Sequence, residues 1–125
     1  MLTKLMLNYP ISTNRYYRTY RNITTLSREG KLFKQKVKQK YFHIKPTEID
    51  VKLNIAIHPK QKKNGLTFKQ VIDIDNGLKC VLDSLIGIVY YDDKQVKSLC
   101  VDYGNPVVGG ATTVIVDEWQ NAAIN

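Results

Sequence analysis

Five of the eleven acidic residues of this chain fall within residues 73–96, DIDNGLKCVLDSLIGIVYYDDKQV, although the protein as a whole carries a net charge of +8. Asp73 and Asp75 are two residues apart, so on extended backbone both carboxylates project to one side and two oxygen donors face one point. Asp92 and Asp93 supply two more. Carboxylates without His or Cys are hard ligands suited to Mg2+ or Mn2+, ions that keep several waters and accept phosphate oxygens as further ligands. Such a cation serves phosphodiester hydrolysis by activating water and stabilising the leaving oxygen, and Lys79 is placed to offset charge on the transition state. Without a cation, carboxylates this close would repel one another unless their pKa values rose. A second reading keeps the acids structural, capping a helix and pairing with Lys79. A calcium loop does not fit, because Gly77 arrives one position early and Ser84 stands where the twelfth-position Glu belongs.

These residues need elements to hold them. Asp75 or Asn76 is a suitable cap for a following helix, and Leu78, Val81, Leu82 and Leu85 recur at the three-and-four spacing of a buried stripe. Asp75, Lys79 and Asp83 are four apart, which stacks them along one flank of that helix. Gly87 then stops it. Ile88, Val89, Tyr90 and Tyr91 return the chain in extended form to Asp92 and Asp93.

The rest of the chain is basic where this stretch is acidic. Residues 1–70 hold 16 Lys and Arg against 3 acids, and residues 71–125 hold 3 against 8. That polarity points to a polyanion bound by one face, nucleic acid being the simplest, with the acids gathered for another purpose. A length of 125 residues with 43% hydrophobic content predicts one domain, residues 1–125, with a modest core that an oligomer interface would extend. Cys80 and Cys100 are too few and too far apart for a zinc site, and both are read as reduced and structural. No apolar run has the length of a membrane span or the form of a cleaved signal, so a cytoplasmic protein is expected.

In chain order, Leu2 to Asn8 reads as an opening strand ended by Pro10. Residues 12–22 read as a loop in which tyrosines mix with Arg15, Arg18 and Arg21. Those side chains suit phosphate contact and stacking on exposed bases, and equally suit packing over a sheet edge. Ser27 is a plausible cap for a helix from Arg28 to Phe42, with Phe33, Val37 and Tyr41 as its apolar line. Its lysines form a solvated face or a weak phosphate contact. Val51, Leu53, Ile55 and Ile57 alternate with Lys52, Asn54, Ala56 and His58, the clearest strand of the chain. His58 lies on the less apolar face and is read as structural or as a phosphate contact. Lys60, Lys62 and Lys63 with Gly65 make a basic loop, followed by Lys69. Val96 to Tyr103 and Thr112 to Val116 are the last strands, and Glu118 and Trp119 begin a tail without an assigned place.

The acidic stretch resembles the RusA family of Holliday-junction resolvases, mostly phage and prophage endonucleases. The family pattern is matched by Asp73, Asp75, Asn76, Lys79, Asp83, Asp92, Asp93 and Gln95 at the same spacing, on a chain of the family's length. A second stretch, Tyr9-Pro10-Ile11-Ser12-Thr13-Asn14-Arg15-Tyr16-Tyr17-Arg18, is similar to the family's Pro-Pro-Ser-x-Asn opening. Ile11 replaces the second Pro, and Ile72 stands where some members carry a basic residue. The resemblance implies an α+β fold, a mixed β-sheet with helices packed against it. It implies a homodimer that binds a four-way DNA junction and nicks two opposed strands, with one active site per subunit. It implies Mg2+, with Mn2+ as a substitute, held by Asp73, Asp75 and Asp93, and Lys79 as a catalytic and DNA-contacting cation. Asp83, Asp92 and Asn76 are expected to support that site, Asp83 by orienting Lys79 or by binding metal through water. Asn14, Arg15, Tyr16, Arg18, Lys60, Lys62, Lys63 and Lys69 are the expected DNA contacts. The protein is then expected in the cytoplasm of a bacterial host. The alternatives are a metal-dependent nuclease for other branched or flap DNA, and a non-enzymatic DNA-binding accessory protein.

Overall fold

The computed structural model describes residues 2–120, and the last five residues of the tail lie outside them. In chain order the elements are β1 (Leu2–Leu7), α1 (Thr13–Tyr16), β2 (Tyr17–Tyr20), β3 (Ile23–Leu26), α2 (Arg28–Lys40), β4 (Val51–His58) and β5 (Lys60–Gln61). Then follow α3 (Ile74–Ser84), a 3-10 turn (Asp93–Gln95), β6 (Val96–Tyr103), β7 (Val107–Val108) and β8 (Ala111–Glu118). The main sheet has the order β1-β8-β4-β6, with β8 antiparallel to both its neighbours and β4 parallel to β6. The sheet is therefore mixed, as expected, and the helices pack against it.

The alternation read in β4 is the alternation observed: Val51, Leu53, Ile55 and Ile57 are buried and the residues between them are not. Opposite them in β8 are Val116, Val114 and Thr112, also buried. Phe33 and Val37 of α2, Val81 of α3 and Leu85 at its C-cap complete the core, with Leu78, Leu82 and Tyr41 packed at its margin. Ser27 caps α2, its hydroxyl accepting from Gly30 N–H at 3.0 Å, and Tyr41 is the C-cap residue. His58 uses both ring nitrogens internally, against Asn105 O at 2.8 Å and Thr113 Oγ1 at 2.7 Å, which makes it structural. Cys80 is buried and Cys100 exposed, and both are free thiols. No helix among the described residues is long and apolar enough to cross a membrane.

Four expectations are corrected. Residues 12–22 are not a loop but α1 and a tight hairpin, because Arg21 and Asn22 both take left-handed backbone (φ 49° and 65°) and join β2 to β3 with the twist a hairpin requires. The helix carrying the acids starts at Ile74 with Asp73 as its N-cap residue, so Asp75 lies inside its first turn and only Asp73 is extended. Ile88 and Val89 are not extended but lie in a turn, and Tyr90 forms isolated bridges with Thr47 and Ile86 rather than a strand. The chain turns instead, with Ile88 and Val89 N–H bonded to Leu85 O at 3.0 Å and Gly87 N–H to Tyr90 O at 2.6 Å. Finally, Glu118 ends β8, and Trp119 N–H bonds Asp50 O at 3.0 Å.

Candidate active site

The N-terminus of α3 is pinned against one end of the sheet. Ile72 donates its N–H to the Tyr9 hydroxyl and accepts at its carbonyl from Tyr103 Oη, each at 2.8 Å. One turn on, Gly77 is buried so closely that an added Cβ would meet Pro10 at 3.2 Å and Ile57 at 3.3 Å. Thr13 Oγ1 bonds Asn76 O at 3.3 Å, and Ile11 N–H bonds Cys80 Sγ at 3.2 Å. Burial pushes the Cys80 thiol up to about 11, so it stays protonated and inert at neutral pH. The backbone around Asp73 and Asp75 is thus held from α1, from β6 and from Tyr9 in the segment after β1, while Asp73 and Asp75 are both exposed. Asp73 occupies a position where Asp ordinarily bonds the first helical N–H groups, yet its side chain makes no capping bond.

A cleft of about 1010 Å3 opens beside this helix end. Asp73 and Asn76 form one wall, and Tyr9, Arg15, Lys60 and Lys69 bring cationic and aromatic groups to the others. Lys60 lies over the Tyr9 ring at 4.9 Å and Lys62 over the Phe68 ring at 5.3 Å. Lys63 is exposed in the same loop, and Asn14 of α1 and Arg18 of β2 are exposed. Arg15 pairs with Glu29 at 2.6 Å on the surface.

Tyr16 does not belong to the exposed set. It is 0% exposed, its hydroxyl bonds Asp83 Oδ2, and burial followed by that carboxylate drives its pKa far above the ordinary tyrosine value. Asp83 also meets Lys34 Nζ at 3.5 Å, so it ties α1 and α2 to α3 rather than orienting Lys79. Lys79 stays exposed on the same flank as Asp75. We predict that Tyr16→Phe lowers unfolding free energy by about 1–2 kcal/mol, at the low end for a hydrogen bond to a charged group because Asp83 retains some solvent. The raised pKa means this contribution is complete below the ordinary tyrosine value near 10 and is lost as pH climbs above it. Denaturant unfolding at pH 8 and pH 11 should therefore show a smaller alkaline loss in the Phe variant, and an equal loss would place the stabilisation elsewhere.

The structure separates Asp93 from the other two expected ligands. Asp93 opens the turn before β6, whose first residue, Val96, pairs with Val51, whereas Ile72 is tied to Tyr103, the last residue of β6. From Val51 to Ile57 the sheet extends roughly 20 Å, so in one chain Asp93 and the Asp73–Asp75 pair stand at opposite ends. Consistently, no three His, Cys, Asp or Glu side chains among the described residues are grouped to hold a metal ion. Asp92 is engaged in a capping box, accepting from Lys94 N–H at 2.9 Å while Gln95 Oε1 accepts from Asp92 N–H at 3.1 Å. The bond from Lys94 is the chief reason the Asp92 carboxyl lies below its usual range. Gln95 also donates to Thr47 O and Ile49 O, each at 2.8 Å, which fixes the turn to the segment before β4. The Asp-x-x-Gln spacing is itself a capping-box signature, legible in sequence and overlooked beside the acids. As chemistry, exposed carboxylates suit a hard cation, and the unused N-cap carboxylate of Asp73 on the cleft wall supports that fit, whereas Asp75, helical rather than extended, is not among the residues lining the cleft. Asp93 does not reach the same point within one chain.

No curated protein matches the chain. The family model for endodeoxyribonuclease RusA matches residues 8–117. That span runs from the Tyr9 wall of the cleft through α3 and the Asp92-Asp93 turn to Asp117 in β8, and with it this chain belongs to the RusA endodeoxyribonuclease family.

Proposed function

We propose that the protein is a Mg2+-dependent endonuclease that resolves four-way DNA junctions as a homodimer, nicking two opposed strands. The observation that carries this reading is the pair of exposed carboxylates, Asp73 and Asp75, on a rigidly held helix end beside a cationic cleft. Each metal site takes Asp73 and Asp75 from one subunit and Asp93 from the other. A two-fold dimer supplies two such sites, matching the symmetry of the junction. Bound Mg2+, or Mn2+ in its place, would supply water activation and charge stabilisation at the phosphate.

The chain's own residues do the rest. Lys79, one turn beyond Asp75 on the same flank, places a cation beside the phosphate without neutralising the ligands. Arg15, Lys60 and Lys69 hold the DNA backbone along the cleft, with Asn14, Arg18, Lys62 and Lys63 extending that footprint. Asn76 holds the cleft wall and, through its carbonyl, α1. Asp92 positions Asp93 by capping its turn. The setting is bacterial DNA recombination and repair in the cytoplasm, in keeping with a phage or prophage origin.

The product on a cruciform plasmid tests paired nicking. Two coordinated cuts convert the supercoil to linear DNA, whereas accumulation of nicked circles, or faster cleavage of a flap than of the junction, would move the protein to another class of branched-DNA nuclease. The basic loop has its own signature. Replacing Lys60, Lys62 and Lys63 with Ala should weaken metal-free junction binding and flatten log K against log salt by up to about 3, since each lost phosphate contact removes roughly 0.9 from the slope. An unchanged slope would remove that loop from the footprint.

A further inference from the structure

Among the described residues the hairpin formed by β2 and β3 pairs only with itself, and its tip is exposed. Tyr20 and Ile23 face each other at the last pair of the ladder and are 61% and 65% exposed. The Arg21 guanidinium sits 5.3 Å from the Tyr20 ring centroid. A lone two-stranded hairpin is marginally stable in water, and an exposed ring opposite an exposed β-branched side chain adds nothing to its solubility. From Ser12 to Arg28 there are four arginines and no acid.

The foot of this hairpin is fixed to the helix that carries the acidic pair. Ser27 N–H and Ser27 Oγ both bond Tyr16 O, at 2.9 and 3.0 Å, closing the base of the hairpin. Gly30 presses against the same carbonyl so closely that a Cβ would lie 2.5 Å from it. Tyr16 Oη and Thr13 Oγ1 then reach α3 at Asp83 and Asn76. Tip and acidic pair are therefore linked through α1, which also places Arg15 on the cleft wall.

We propose that the tip, Tyr20 with Arg21 and Ile23, is a stacking wedge for unpaired or splayed bases at a DNA branch point, and that it is what prefers branched over continuous duplex. The inference rests on the branched-DNA reading above and adds its recognition element. An aromatic ring backed by a guanidinium stacks on any base, and an apolar β-branched neighbour suits insertion at an opened step. The hairpin from Tyr17 to Leu26, which carries Arg18 and Arg21 and no acid, favours a polyanion over a protein surface as the occupant. Bases inside a continuous duplex are already stacked and offer the tip no face.

The experiment uses the full chain in EDTA, with a four-way junction carrying 2-aminopurine next to the crossover and a linear duplex of the same sequence. Wild-type binding should raise 2-aminopurine fluorescence on the junction alone. The Tyr20→Ala, Ile23→Ala double variant should bind duplex within about twofold of wild type, bind the junction about tenfold more weakly and lose the fluorescence rise, as expected for one lost stacking contact. Tyr20→Trp should restore both. A double variant with wild-type thermal unfolding that keeps the rise and the junction preference overturns the wedge while leaving the nuclease reading intact. Conversion of the double variant to monomers also overturns it, because the tip would then be a subunit contact. Wild-type protein with no preference for the junction removes both the wedge and the branched-DNA reading.

Discussion

Asp75→Asn protein should bind a four-way junction as tightly as wild type in the absence of metal, or somewhat more tightly, and should fail to cut it in the presence of Mg2+. Asn is close to Asp in size, and the structure makes the exchange structurally mild. Asp75 lies in the first turn of α3 and is not its cap, so the fold loses only one carboxylate's attraction to the helix N-terminus, about 0.3–1 kcal/mol. The chemistry loses far more. A neutral amide is a poorer ligand for a hard cation, and cleavage should fall by more than the roughly 10–100-fold that follows loss of an outer-shell partner. Removing a negative charge near the scissile phosphate also lessens repulsion of the DNA, which is why binding should not suffer. Junction binding in EDTA, cleavage in Mg2+ and thermal unfolding are measured on the same preparation. Well-folded Asp75→Asn protein that still cuts would end the assignment of Asp75 as a metal ligand.

Subunit mixing should produce the second large effect. Asp75→Asn and Asp93→Asn homodimers are each expected to be inactive. In a heterodimer of the two, one site carries both substitutions and the other neither, provided that each site draws Asp73 and Asp75 from one subunit and Asp93 from the other. Co-refolding the variants in equal amounts should then restore roughly a quarter of the wild-type number of sites, one in each of the half of dimers that are mixed. Because a mixed dimer has one working site, the recovered product should be a singly nicked junction rather than a resolved one. If each subunit instead built its site alone, every site in the mixture would stay damaged and activity would not return.

Much of the scaffold is legible in the sequence because it follows from local rules. Val51 to His58 alternates as a half-buried strand must, Ser27 is a cap residue before an amphipathic stripe, and the spacing of Leu78, Val81, Leu82 and Leu85 is that of a helix against a core. The acidic pair at the start of α3 is readable for the same reason. What the sequence hides is the distance from that pair to Asp93. Motif spacing records separation along the chain, whereas β4 and β6 are parallel strands joined through α3, and a parallel crossover returns the chain to the end of the sheet from which it started. The residue that follows β4 and the residue that precedes β6 are therefore at opposite ends, however regular the motif. Tyr16 was hidden by composition: it sits among exposed tyrosines and arginines, and only the tertiary contacts with Asp83 and Gly30 show it to be core. The hairpin was hidden by its turn, since Arg-Asn is a weaker signal than Asn-Gly for two left-handed residues.

Cleavage of a synthetic four-way junction, set beside a linear duplex of the same sequence, with Mg2+ and with EDTA, tests the metal-dependent resolvase assignment most directly. Strand cuts are expected in the junction only, only with Mg2+ or Mn2+, and placed symmetrically across the branch point. Folded protein that binds the junction and leaves it intact with either cation, or that cuts the linear duplex equally well, would contradict it.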